Sequence, residues 1–135
     1  MITVFKNCLR SGTYRKTSAW LKNKDIPFEV KEIRDMTYDE LLHILSLTNY
    51  GTNELETKKG STNSEYVKKW LLIHQLIENS EHISEVHKII QKYPYHFKVP
   101  IIVDEKRLNI GFQIDQIGTF IPREKRRISL KMHKL

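Results

Sequence analysis

The sequence predicts one mixed α/β domain, and three observations carry that prediction. A strand–helix–strand unit opens the chain, a helix-rich middle follows, and a compact β-hairpin precedes the C-terminus. At 135 residues the chain is the size of a single domain. Hydrophobic residues at 39% and aromatics at 10% supply a core, which argues against wholesale disorder.

Ile2-Thr3-Val4-Phe5-Lys6 is β-branched and aromatic, as a short buried strand requires. Asn7–Gly12 reads as a turn, and Thr13–Lys24 as a helix with Tyr14, Trp20 and Leu21 on its inner face. Asp25-Ile26-Pro27 stops that helix. Phe28, Val30 and Ile33 mark a second strand, with Glu29 and Lys31 pointing outward. A βαβ unit this short favours parallel pairing with a right-handed crossover.

Thr37-Tyr38-Asp39-Glu40 has capping-box spacing, a hydroxyl followed three residues later by a carboxylate that can return to the cap N–H. Leu41, Leu42, Ile44 and Leu45 continue it as a helix over 38–48. Asn49–Asn53 ends that helix, with Gly51 suited to a left-handed cap. Residues 52–64 read as a polar loop or weak helix, followed by helices at 65–78 and 83–93 and a stop at Pro94. Pro100–Val103 is a strand, Asp104–Arg107 a turn, and Leu108, Ile110 and Phe112 alternate as the return strand. Asp115 caps a last short helix through Ile117, Phe120 and Ile121, stopped by Pro122.

The order βαβ, helical middle, ββα matches a thioredoxin-like topology, a small mixed sheet with helices on both faces. The core is expected from about 1–36 and 97–122, with a helical insertion at 37–96 and a basic tail at 123–135.

Composition narrows the function. No run of about 18 apolar residues exists, so no membrane-spanning helix is expected. The N-terminus lacks a secretory layout, which predicts a cytoplasmic protein. Lys and Arg number 23 against 16 Asp and Glu, a net charge of +7. Arg123–Leu135 holds six of those cations against Glu124 alone, so +5 lies in the tail and +2 in the rest. Such a tail could touch phosphate backbones or an acidic protein surface, or serve only solubility.

Cys8 is the single cysteine, so neither an internal disulfide nor a Cys-rich zinc site can form. It falls in the turn where thioredoxin-like folds place a dipole-acidified thiol, but several residues before the helix. Two readings stand: a small apolar residue at a strand end, or a reactive thiol forming mixed disulfides. His43, His74, His82, His87, His96 and His133 are scattered without ligand spacing, so no metal is expected. Dinucleotide, P-loop, nucleophile-elbow and zincin motifs are lacking, and no cofactor or catalytic residue is expected.

Two segments are distinctive: Pro100–Leu108 continuing through Gly111-Phe112 to Phe120-Ile121-Pro122-Arg123, and Thr48-Asn49-Tyr50-Gly51-Thr52-Asn53-Glu54-Leu55. With Arg15-Lys16, Ala19-Trp20-Leu21 and Ile26-Pro27-Phe28, they make the chain resemble the Spx group of the arsenate-reductase-like family. These are transcriptional regulators of low-GC Gram-positive bacteria. The resemblance implies binding to the C-terminal domain of the RNA polymerase α subunit, with Gly51 on the contact surface beside Thr48, Thr52, Asn53 and Glu54. It also implies a monomer without cofactor, with promoter DNA approached by the tail inside the complex.

The departures are specific. The family's Cys-x-x-Cys switch falls on Ser11 and Tyr14, the arginine before the strand proline is Val99, and an arginine often found ahead of the glycine is Ser46. The stretch between Gly51 and Pro100 is longer than the family pattern. These differences imply a regulator without a disulfide switch. They also disfavour arsenate reduction, since a serine cannot form the arsenic–sulfur intermediate. Alternative readings are a competitor that occupies the α surface, a direct nucleic-acid binder, and a Cys8 thiol sensor. Pro100 is expected to be the cis-proline of thioredoxin-like folds.

Overall fold

The computed structural model describes residues 1–7, 12–60, 64–111 and 117–120. Strand β1 (Ile2–Lys6) lies inside a four-stranded sheet of order β2-β1-β3-β4, with β2 at Phe28–Glu32, β3 at Ile101–Val103 and β4 at Leu108–Ile110. β1 runs parallel to β2, whereas β3 is antiparallel to both β1 and β4. This is the expected mixed topology.

A central strand is buried on both faces, so its residues alternate between two cores. Ile2 and Val4 join Leu21, Ile26, Ile102, Ile117 and Phe120 on one side. Phe5 joins Ile101 and Val103 on the other, against Ile33, Met36, Leu41, Ile44 and side chains of the helical middle. Helix α1 (Gly12–Asn23) covers the first face through Leu21, with Tyr14 and Trp20 half-buried beside it. Thr17, also buried, bonds back to the Thr13 carbonyl at 2.9 Å. Asp25 adopts φ +54°, and the Ile26 N–H closes onto the Leu21 carbonyl, which ends α1.

Val30 departs from expectation. It pairs in register with Val4, yet it is 39% exposed because β2 is the sheet edge. Charged Glu29, Lys31 and Glu32 along β2 discourage pairing with another chain. Ile33 is buried, but in a 3₁₀ turn (Ile33–Asp35) just beyond the strand.

The opposite face carries α2 (Tyr38–Leu47), α3 (Glu65–Glu78) and α4 (Ile83–Lys92). The capping box forms as expected: Thr37 Oγ1 accepts from the Glu40 N–H at 3.1 Å, and Glu40 Oε1 accepts from the Thr37 N–H at 2.9 Å. Leu41 and Ile44 are its buried stripe. Ser64 caps α3, and Val67, Ile73 and Ile77 face inward. α4 buries Val86 and Ile90, and Pro94–His96 is a 3₁₀ turn. No helix among the described residues is long and apolar enough to cross a membrane.

The Val99–Pro100 peptide is cis, as expected. Of the last helix, the described part is the 3₁₀ turn Gly118–Phe120, with Ile117 and Phe120 buried. Phe112, Asp115, Ile121, Pro122 and the basic tail lie outside the described residues.

Candidate functional site

The turn after α2 is built by hydrogen bonds among its own residues. Thr48, with φ −80° and ψ 155°, ends the helix, and its hydroxyl donates to the Leu45 carbonyl at 2.7 Å. The same oxygen accepts the Gly51 N–H at 3.1 Å. Gly51, at φ +69°, opens the 3₁₀ turn Gly51–Glu54. The expectation that Gly51 caps α2 is therefore corrected: Thr48 is the cap, and the glycine's positive φ belongs to the following turn. Glu54 closes the unit by accepting the Tyr50 N–H at 2.6 Å, and buried Leu55 anchors it to the core.

Tyr50 and Asn53 are exposed on this turn, while Thr48, Gly51, Thr52 and Glu54 are half-buried. A Cβ built on Gly51 meets nothing within 4 Å, so the space above the glycine is open. The five residues singled out from the sequence thus form one small, internally braced surface.

The second region of interest is the end of β1. Phe5 pairs with Ile101, so Pro100 is level with Lys6, where the chain leaves the sheet toward α1. Tyr14 lies in α1, half-buried, with the Lys6 ammonium 4.9 Å from its ring centroid. Val99 packs against the core on the Phe5 side. Cys8 and Ser11 lie outside the described residues.

The histidines are more organised than their scatter in sequence suggests. His74 Nδ1 and His96 Nε2 each lie 2.8 Å from Oε2 of Glu56. A carboxylate only accepts, so both rings donate. Glu56 and His96 are each 5% exposed, and Glu56 also pairs with Phe97 in an isolated β-bridge. Trp70 stacks on His74 with centroids 4.8 Å apart and donates its indole N–H to the Thr57 carbonyl at 2.9 Å. His43 and His87 donate to the carbonyls of Asp104 and Met36, at 2.7 and 2.6 Å.

His96 is thus a buried structural donor. Sequence reasoning missed the cluster because Glu56 and His96 are forty residues apart, with no periodicity linking them. The two rings converge on one carboxylate oxygen, which takes the place a shared metal ion would need. Among the described residues no group of three or more His, Cys, Asp or Glu could hold a metal ion.

No family model matches the chain. It is 38% identical over 133 residues to the global transcriptional regulator Spx of Streptococcus pneumoniae, covering 97% of this chain and 93% of that protein. Identity to proteins of the same name is 36% in Staphylococcus saprophyticus and 35% in Staphylococcus aureus, each covering 97% of this chain and 95% of the relative.

Among solved structures, an ArsC family related protein from Bacteroides fragilis aligns with a TM-score of 0.65 at 18% identity, over 88% of this chain and 96% of that one. An arsenate reductase (ArsC) related protein from Brucella melitensis aligns at 0.53 with 16% identity, over 87% and 92%. These alignments establish the thioredoxin-like fold of the ArsC group. The full-length likeness in sequence goes further: this chain belongs to the Spx family, and it does so with a single cysteine and hence without a Cys-x-x-Cys pair.

Proposed function

We propose that this protein is a cytoplasmic, monomeric transcriptional regulator that binds the C-terminal domain of the RNA polymerase α subunit and alters promoter use without a disulfide switch. The contact surface is the turn bearing Thr48, Gly51, Thr52, Asn53 and Glu54. Family membership supports the class of function, and the carrying observation is the geometry at Gly51. A glycine held at φ +69° under open space lets a partner backbone approach with no side chain in the way.

One cysteine cannot close an intramolecular disulfide, so the bound state does not depend on thiol oxidation within the chain. Catalysis forms no part of the reading, because Ser11 and Val99 stand where the reductase branch needs a thiol and an arginine. The tail from Arg123 onward supplies the cations for promoter DNA once the α domain is engaged.

Calorimetric titration with the isolated α C-terminal domain tests the proposal. Saturable binding, equal with and without reductant, is expected. Gly51→Arg places a long cation in the contact and lowers affinity by about a hundredfold or more, as a hot-spot loss does. Gly51→Asn, whose side chain tolerates the left-handed backbone, keeps the fold and is the control. No binding, or unchanged affinity in a folded Gly51→Arg protein, overturns the site.

A further inference from the structure

Away from the turn, α3, α4 and the 3₁₀ segment that follows enclose a cleft of about 360 Å³. Its walls are Tyr66, Trp70, Tyr93 and Tyr95, with Lys69 and Lys92 at the sides; Ile73 and His96 complete the lining. We propose that this cleft is a binding site for a small planar aromatic carboxylate, with the ring held among the tyrosines and Trp70 and the carboxylate taken by the two lysines.

Volume, aromatic content and charge carry the inference together. The volume lies at the lower end of the range for small-molecule pockets, which suits a ligand of one or two rings. Tyr66 and Tyr95 are 57% and 53% exposed, so two large rings stand half in water beside a partly buried indole. Such concentrated exposed aromatic surface is a mark of recognition. Lys69 and Lys92 come from different helices, and neither forms a salt bridge among the described residues. No carboxylate lines the cleft among those residues. The nearest buried one, Glu56, lies behind His96 and is already engaged by two imidazoles. Among the described residues, the lining of the cleft therefore presents π faces and two ammonium groups and no carboxylate. Lys92 Nζ already sits 5.4 Å from the Tyr93 ring centroid, so an ammonium and a ring share the space a ligand would enter.

The inference is independent of the polymerase reading, since none of these side chains belongs to the Gly51 turn. The probe is 2-naphthoate, titrated into the full chain by calorimetry. Its comparators are 2-naphthylmethanol, which keeps the ring without the charge, and cyclohexanecarboxylate, which keeps the charge without the planar ring. Saturable one-to-one binding of naphthoate is expected, with a Kd on the order of 0.1–1 mM for a ligand this small. Each comparator binds about tenfold more weakly, the loss of one charge-assisted or aromatic contact set.

The Lys69→Gln/Lys92→Gln double variant changes only exposed side chains, so it keeps the wild-type melting temperature. It binds naphthoate and naphthylmethanol alike. Tyr66→Ala weakens both. The proposal is overturned by an absence of saturable naphthoate binding, by equal affinity for all three probes, or by undiminished naphthoate affinity in the double-lysine variant.

Discussion

The Glu56 carboxylate and the His96 imidazole lie 2.8 Å apart with both side chains almost wholly buried, and they join a loop to a segment forty residues away. His74, from α3, reaches the same oxygen. Three separate parts of the chain therefore meet at one acceptor. Glu56→Ala strands the buried His96 donor in the interior and takes from half-buried His74 its closest acceptor, and should destabilise the protein by about 3 kcal/mol, the scale of hydrogen bonds to a buried charged group. Urea denaturation measures this, and a change within 0.5 kcal/mol, the scatter of about that size seen at ordinary surface positions, would show that the junction contributes nothing.

The capping box makes a smaller and separable contribution. Thr37→Ala removes the acceptor for the Glu40 N–H and should cost about 1 kcal/mol, as N-cap truncations do. A thermal melt of the variant checks it, with an unchanged midpoint counting against the cap.

Glu40 also sets a pH dependence. Burial pushes its carboxyl up, but the Thr37 N–H, the Lys31 ammonium at 2.9 Å and the Thr37 hydroxyl together outweigh that, leaving its pKa below the ordinary carboxylate value. A depressed folded pKa stabilises the protein above the unfolded pKa, and that stabilisation is lost as pH falls through the folded one. The stability gap between wild type and Glu40→Gln should thus be widest at neutral pH and narrower at an acid pH below the ordinary carboxylate value of 4.5. Denaturant titrations at the two pH values test this, and a gap that stays constant or widens in acid contradicts it.

Gly51 offers a prediction independent of any partner. At φ +69° an alanine is strained by about 1 kcal/mol, but its Cβ meets no neighbour within 4 Å. Gly51→Ala should lose that amount and no more in urea denaturation, and Gly51→Asn less. A loss above about 3 kcal/mol would require a clash that the open space excludes.

The two cores predict additivity. Leu21→Ala on the α1 side and Ile44→Ala on the α2 side each remove a fully buried side chain and should each cost about 2–5 kcal/mol. The central strand and its neighbours separate them, so the double variant should equal the sum within about 0.5 kcal/mol. A larger coupling, measured by the same cycle, would mean that the sheet transmits strain between its faces.

The fold was legible where local signals and the global pattern agree. α3 spans Glu65–Glu78, the stretch its apolar periodicity predicts, and the Thr37–Glu40 box forms atom for atom. Val30 misled because strand alternation reports a buried face but not whether the strand lies at an edge. Gly51 was recognisable as a left-handed residue, but three intervening residues separate it from the helix it was expected to cap. Glu56, His74 and His96 were not legible as a unit, because only tertiary packing brings them together. The same holds for the aromatic cleft, whose sides come from α3, the end of α4 and the turn after it.

Neighbouring residues Val4 and Phe5 belong to different cores, and that division reaches beyond stability. The sheet acts as a partition wall. On one side, α1 and the turn at Ile117–Phe120 pack against Ile2 and Val4; on the other, the long helical middle leans on Phe5. Lengthening or reshaping that middle loads a single side of the wall. A protein built this way can remodel the side that carries Gly51 and the aromatic cleft while the layer against Val4 stays as it is. New surfaces can thus arise on one side of the molecule without the opposite layer having to find its packing again.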